Sequence, residues 1–165
     1  MIENMEQVVV SGVAADKNQA KISILDVPDR PGVAAHIFQS LSEAGIVIDM
    51  IIQNVSHDQR ADLSFTVPRS DLHKALEITR QVAQELGASG VDHDAEIAKV
   101  SIVGIGMKSH SGVAAQMFQA LAEAGINIQM ISTSEIKISC VIALDEADRA
   151  VQVLHDRFGL ARAAA

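Results

Sequence analysis

Aromatic side chains are nearly missing: the 165 residues include four Phe and neither Trp nor Tyr. Proteins that grip single-stranded nucleic acid stack the bases on such rings, and this chain has almost nothing to stack them on. Positive charge is also scarce, with 13 Lys and Arg against 21 Asp and Glu and a formal net charge of −8. The cations stand singly or in pairs, so no basic stripe is available to follow a phosphate backbone. A single cysteine, Cys140, excludes an intramolecular disulfide and fits a reducing compartment. No apolar run approaches the ~20 residues that span a bilayer. The start, Met1-Ile2-Glu3-Asn4-Met5-Glu6, is acidic where a secretory signal is basic. These absences lead to the expectation of a cytoplasmic protein with neither nucleic-acid nor membrane partners.

What the chain does have is apolar residues, 48% of the composition, and repetition. The segment from Gly32 to Ile51 returns from Gly112 to Ile131, and 14 of the 20 aligned residues are identical. Solenoid repeats are shorter than this 80-residue period, which is long enough for a small domain. Two similar domains, and a duplicated ligand site, are expected.

Periodicity gives each unit its elements. A β-branched run at 7–13 leads through polar Asp16-Lys17-Asn18-Gln19 to a strand at 20–26, where Ile22, Ile24 and Asp26 alternate with Lys21, Ser23 and Leu25. The turn Val27-Pro28-Asp29-Arg30-Pro31-Gly32 precedes a helix over 34–44 with Ile37, Phe38 and Leu41 on one face. Gly45 stops that helix, since glycine enters the left-handed region without steric cost. Strands at 46–54 and 61–67, a helix from 68–71 to Leu86, and strands at 91–95 and 99–106 follow. The second unit repeats the order with a helix at 112–124, strands at 126–132 and 136–143, and a helix at 145–157.

The fold class is therefore α+β, with two ferredoxin-like βαββαβ domains. The first has four strands and the second only three after residue 97, so the N-terminal strand at 7–13 is needed to complete the second sheet and cover its open edge. The expected domains are 16–96, inserted, and 1–15 plus 97–165, discontinuous.

The loop Asp29-Arg30-Pro31-Gly32-Val33-Ala34 is the sharpest local feature. A helix N-terminus presents unpaired N–H groups and a positive dipole end to a carboxylate. Gly32 permits close approach, and Asp29 can meet an ammonium group. A free amino acid offers both charges. The plainer alternative is that Asp29 caps the helix and Pro31-Gly32 turns the chain. The second unit has Lys108-Ser109-His110-Ser111-Gly112 instead, keeping the glycine without the aspartate or proline. Polar residues inside apolar strands, in Ile46-Val47-Ile48-Asp49-Met50 and Ile126-Asn127-Ile128-Gln129-Met130, point either to a ligand face or to edge solvation.

Nothing is assembled for catalysis. Gly104-Ile105-Gly106 hints at a dinucleotide fingerprint, but Ser109 stands where the third glycine belongs. No phosphate-cradling Gly-x-x-x-x-Gly-Lys-Ser/Thr loop occurs. The six histidines are never spaced i, i+4, and Asp92-His93-Asp94 reads better as a solvated loop than as a metal site. Cys140, in an apolar run, reads as a small core residue. No catalytic residue, metal or cofactor is expected in this chain.

The two units, with their Asp-x-Pro-Gly and Ser-His-x-Gly helix starts, resemble ACT domains, the small-molecule sensors of amino-acid metabolism. Longer stretches, among them Ile48-Asp49-Met50-Ile51-Ile52-Gln53-Asn54-Val55-Ser56, Phe65-Thr66-Val67-Pro68-Arg69-Ser70-Asp71, Lys99–His110 and Ile131–Ser139, resemble the C-terminal regulatory region of bacterial aspartate kinase. Without a kinase domain, the chain looks like the separate β subunit of the heteromeric enzymes. The resemblance implies feedback inhibition by L-threonine, L-lysine or both, a homodimer through the ACT domains, and a catalytic α subunit as partner. It also implies an effector held by Asp29, Gly32 and Ala34, with Ile48, Asp49 and Gln53 lining its side-chain end and Asn127 and Ile128 of the other chain closing the site. Ser111 departs from the proline usual in the second loop. A free-standing ACT pair regulating a different enzyme is the alternative; an autonomous enzyme is disfavoured because no catalytic cluster is visible.

Overall fold

The structure, a computed structural model, describes residues 9–105 and 112–160. The chain divides into two compact units at Lys17/Asn18 and Glu96/Ile97, so the residues between form one unit and the flanking segments together form the other. In order the elements are β1 (Val9–Pro28), α1 (Val33–Glu43), β2 (Ile51–Val55), β3 (Arg60–Val67), α2 (Leu72–Leu86), β4 (Gly90–Ile105), α3 (Gly112–Glu123), β5 (Met130–Thr133), β6 (Lys137–Ala143) and α4 (Ala147–Arg157).

In the inserted unit the strand order is β2-β3-β1-β4, the split βαβ arrangement in which both helices cover one face. Ile22 and Ile24 of β1 and Leu63 and Phe65 of β3 pack there with Ile37 and Leu41 of α1 and Leu76 and Val82 of α2. Phe38 meets Phe65 edge to face, with centroids 5.4 Å apart at 81°. In the other unit the order is β5-β6-β4-β1. The missing fourth strand is thus the N-terminal part of β1, where Ser11 Oγ donates to the Val103 carbonyl of β4 at 3.2 Å.

The two units repeat each other down to single contacts. Ser23 and Ser64 meet across β1 and β3 with 2.7 Å between hydroxyl oxygens, and Ser101 and Ser139 do the same across β4 and β6 at 2.7 Å. From Ser23 to Gly32 is nine residues and from Ser101 to Gly112 eleven, so the connection to the second unit's first helix is two residues longer. Cys140, opposite Val100 on β6, is fully buried in the second core among Ile102, Met117, Ile138 and Leu154. Burial among these apolar groups pushes its thiol up to about 12.

Several expected boundaries differ. Asp16–Gln19 lies within β1, and 91–95 and 99–106 belong to one strand, β4. From Val13 to Val27 and from Val91 to Val103 neither glycine nor proline interrupts the chain, so polarity alone does not turn it. Asp92-His93-Asp94 consequently sits on a strand, where alternation sends neighbours to opposite faces; no metal-binding group of His, Cys, Asp and Glu occurs among the described residues. Strand β2 begins at Ile51 and not Ile46: Asp49 N–H donates to the Thr66 carbonyl at 3.1 Å and Thr66 N–H to the Met50 carbonyl at 3.0 Å, so two residues face one and the regular ladder starts after them, with Thr66 Oγ1 taking the Met50 N–H at 3.1 Å. The strand expected from 126 likewise begins at Met130. No helix among the described residues is long and apolar enough to cross a membrane.

Candidate functional site

The first-unit cleft is built by the end of β1, the turn after it, and the middle of the β2–β3 pair. β1 ends in a bulge: Ile24 pairs with Leu63 and Val27 with Ala61, so Leu25 and Asp26 together oppose Asp62. A regular strand would have carried Asp26 inward, as alternation with Ile22 and Ile24 predicts. The bulge instead buries Val27, 1% exposed, in that place. The chain then runs through Pro28 to Asp29, whose N–H donates to the Gln59 carbonyl at 2.7 Å.

Gly32 occupies the N-cap position of α1 with φ 91°, and no side chain caps this helix. Asp29 therefore does not act as its cap. Its carboxylate turns to the neighbouring strand, where Asp29 Oδ1 accepts from Gln53 Nε2 at 3.4 Å. A long bond between exposed groups leaves the carboxylate with most of its acceptor capacity.

The resulting cleft, about 400 Å³, is lined by Val27 to Ala34 together with Gln53 and Leu63. It brings together four of the residues singled out in the sequence: Asp29, Gly32, Ala34 and Gln53. Chemically it sets an acceptor-only carboxylate and an amide beside an uncapped helix N-terminus, over an apolar floor of Val27, Val33 and Leu63. Such an arrangement can hold opposite charges a few ångströms apart, as a small zwitterion carries them.

The other four residues lie elsewhere. Ile48 packs against the first core, and Asp49, exposed, donates its N–H to the Thr66 carbonyl at 3.1 Å. Neither lines the cleft. Asn127 is exposed in the other unit between α3 and β5, and Ile128 is half-buried against that unit's core. Gly106 and the loop Lys108-Ser109-His110-Ser111 lie outside the described residues.

Sequence reasoning missed Leu63 and Val27 as walls. Leu63 becomes one because it pairs with Gln53 across β2 and β3, and residues paired in this way share a face. Nothing local to Leu63 announces this. Val27 is missed because the bulge, invisible in the alternation, changes its face.

With this geometry in place, the likeness to known proteins is specific. Residues 22–82 and 100–158 match the ACT domain family. An aspartokinase of Pseudomonas aeruginosa is 53% identical over 158 residues, a stretch covering 96% of this chain and 38% of that protein. The chain thus spans well under half the length of that relative. A crystal structure of aspartokinase α and β subunits contains a chain 51% identical, with a TM-score of 0.86, covering 92% of this chain and 100% of that one. The regulatory subunit of aspartate kinase from Thermus thermophilus, solved in its ligand-free form, is 45% identical with a TM-score of 0.86, covering 91% of this chain and 99% of that subunit.

Proposed function

Since the chain belongs to the ACT-domain family, as the tandem regulatory region of an aspartokinase, we propose that it senses threonine, lysine or both and feeds this back onto a catalytic aspartate kinase subunit in the cytoplasm. The two sensing modules are residues 16–96 and 1–15 plus 97–165, limits that fall within two residues of the division into compact units. The observation that carries the effector reading is the cleft at Asp29, which sets a carboxylate against an uncapped helix N-terminus.

In this reading the effector's carboxylate takes the amides at the start of α1, which the Gly32 backbone leaves open to close approach. Its ammonium takes Asp29, in competition with Gln53. Gln53, Ile48 and Asp49 meet the side-chain end, and Asn127 and Ile128 of a second copy close the site. A ligand that touches two chains stabilises the dimer arrangement in which both halves of its site meet. It inhibits by biasing the catalytic subunits that follow that arrangement. Couplings of this kind are worth about 1–3 kcal/mol.

Calorimetric titration of the chain with threonine and then lysine tests the proposal. One or two molecules bound per chain, with competition by neither glycine nor aspartate, is the expected result. Silence with both amino acids overturns the effector assignment.

A further inference from the structure

Among the described residues, two that are not glycine have positive φ: Asp26 and Gln59, each at 58°. They bracket the cleft's loop. Gln59 supplies the carbonyl that holds Asp29 N–H, and Asp26 forms the bulge three residues upstream. A left-handed conformation costs a residue bearing a Cβ about 1–2 kcal/mol, and it persists where surrounding groups over-determine it.

Around Asp26 they do. Its N–H donates to Asp62 Oδ1 at 2.8 Å, and its Oδ2 accepts from Ser89 Oγ at 2.6 Å. Arg60 reaches both its carbonyl, at 3.4 Å, and its Oδ1, from Nε at 3.7 Å. Ser89, in the α2–β4 connection, also donates its N–H to the Leu25 carbonyl at 2.9 Å. Thus every polar atom of Asp26 is engaged. The next residue, Val27, is both buried in the core and a wall of the cleft. Neither Asp26 nor Ser89 lines the cleft.

We propose that Asp26 is a positioning residue, clamped by Ser89 on one side and by Asp62 and Arg60 on the other, which sets the path of Val27-Pro28-Asp29 and thereby the effector affinity of the cleft. The proposal rests on reading that cleft as the effector site. Asp26 reaches the effector only through the backbone, so its influence is felt in ligand affinity and in the order of the loop.

The test uses the full chain and three variants, Ser89→Ala, Asp26→Gly and Asp26→Asn, titrated with threonine and with lysine by calorimetry. Amide hydrogen exchange is followed at Asp29 and Val33 in parallel. Ser89→Ala and Asp26→Gly are expected to weaken binding about threefold to tenfold, the worth of one hydrogen bond, and to speed exchange at Asp29 and Val33 but not at Ile22 or Phe65. Asp26→Asn keeps an oxygen for Ser89 and a residue type tolerant of positive φ, and it is expected to restore both readouts toward wild type. Affinity and loop exchange unchanged in Ser89→Ala and Asp26→Gly would overturn the proposal, as would a uniform rise in exchange across the unit. If wild type binds neither amino acid, the effector reading fails, and the exchange at Asp29 still decides whether the clamp orders the loop.

Discussion

Gln53 Nε2 and Asp29 Oδ1 stand 3.4 Å apart across the mouth of the first-unit cleft. The bond joins an edge strand to the loop before α1, and its length makes it easy to exchange for a better donor. An ammonium group is such a donor.

From this, Asp29→Ala is expected to weaken effector binding at least about tenfold, as for a hydrogen bond to a charged group. Both side chains are exposed, so stability should move by no more than about 0.5 kcal/mol. Calorimetry and urea melts on the same sample check the two halves. Retained affinity would remove Asp29 from the site.

Gly32→Ala isolates the backbone. A Cβ built there meets nothing within 4 Å, yet φ is +91°, so the whole cost is conformational. A loss of about 1–2 kcal/mol is expected in denaturant unfolding, with weaker effector binding as the helix start shifts.

The paired serines allow a double-mutant cycle. Ser101 and Ser139 are 3% and 5% exposed and satisfy each other at 2.7 Å. Ser101→Ala strands the Ser139 hydroxyl and is expected to cost about 1–3 kcal/mol, whereas Ser101→Ala with Ser139→Ala together should be closer to neutral. The half-buried Ser23–Ser64 pair should show a smaller coupling, because water can replace the lost partner. Additive single mutations at 101 and 139 would show that the pair is not coupled.

Cys140 makes the alkaline limb of stability testable. The unfolded thiol ionises near 9.0, while the buried one holds its proton until about 12. Across that window the folded state binds more protons than the unfolded one, so stability falls as pH rises, by up to about 1.4 kcal/mol per pH unit from this group. Cys140→Ala should lower stability at neutral pH by leaving a cavity, and its alkaline slope should be shallower than that of wild type. Parallel slopes from pH 9 upward would contradict the burial argument. Below pH 9 a thiol reagent should label Cys140 only as fast as the chain unfolds.

Much of this was legible in the sequence because periodicity reports which face is buried. Ile37 and Leu41 recur at helical spacing, and both are buried on α1. The repeat at Gly32 and Gly112 is a run of identities, and counting strands pointed to the N-terminal segment as the second sheet's missing member. What stayed hidden depends on pairing between distant residues. The bulge at Asp26 exists because Asp62, Arg60 and Ser89 hold it, and these lie 34 to 63 positions away. Leu63 walls the cleft through its register with Gln53. Thr66 faces both Asp49 and Met50 through its backbone, and this two-to-one pairing, which delays the start of β2, is not encoded in strand propensity.

The N-terminal strand's contribution to the later unit also fixes an order of events during synthesis. Ser11 bonds to Val103, 92 residues downstream, so this strand segment waits for its partner strand to be made. At roughly 5–20 residues per second that delay is on the order of 5–20 seconds. The unit between Asn18 and Glu96 is made within the same interval, its last residue only shortly before Val103. The β-branched residues of this strand segment therefore wait unpaired, and in this interval the nascent chain is most exposed to capture by a chaperone or by another chain.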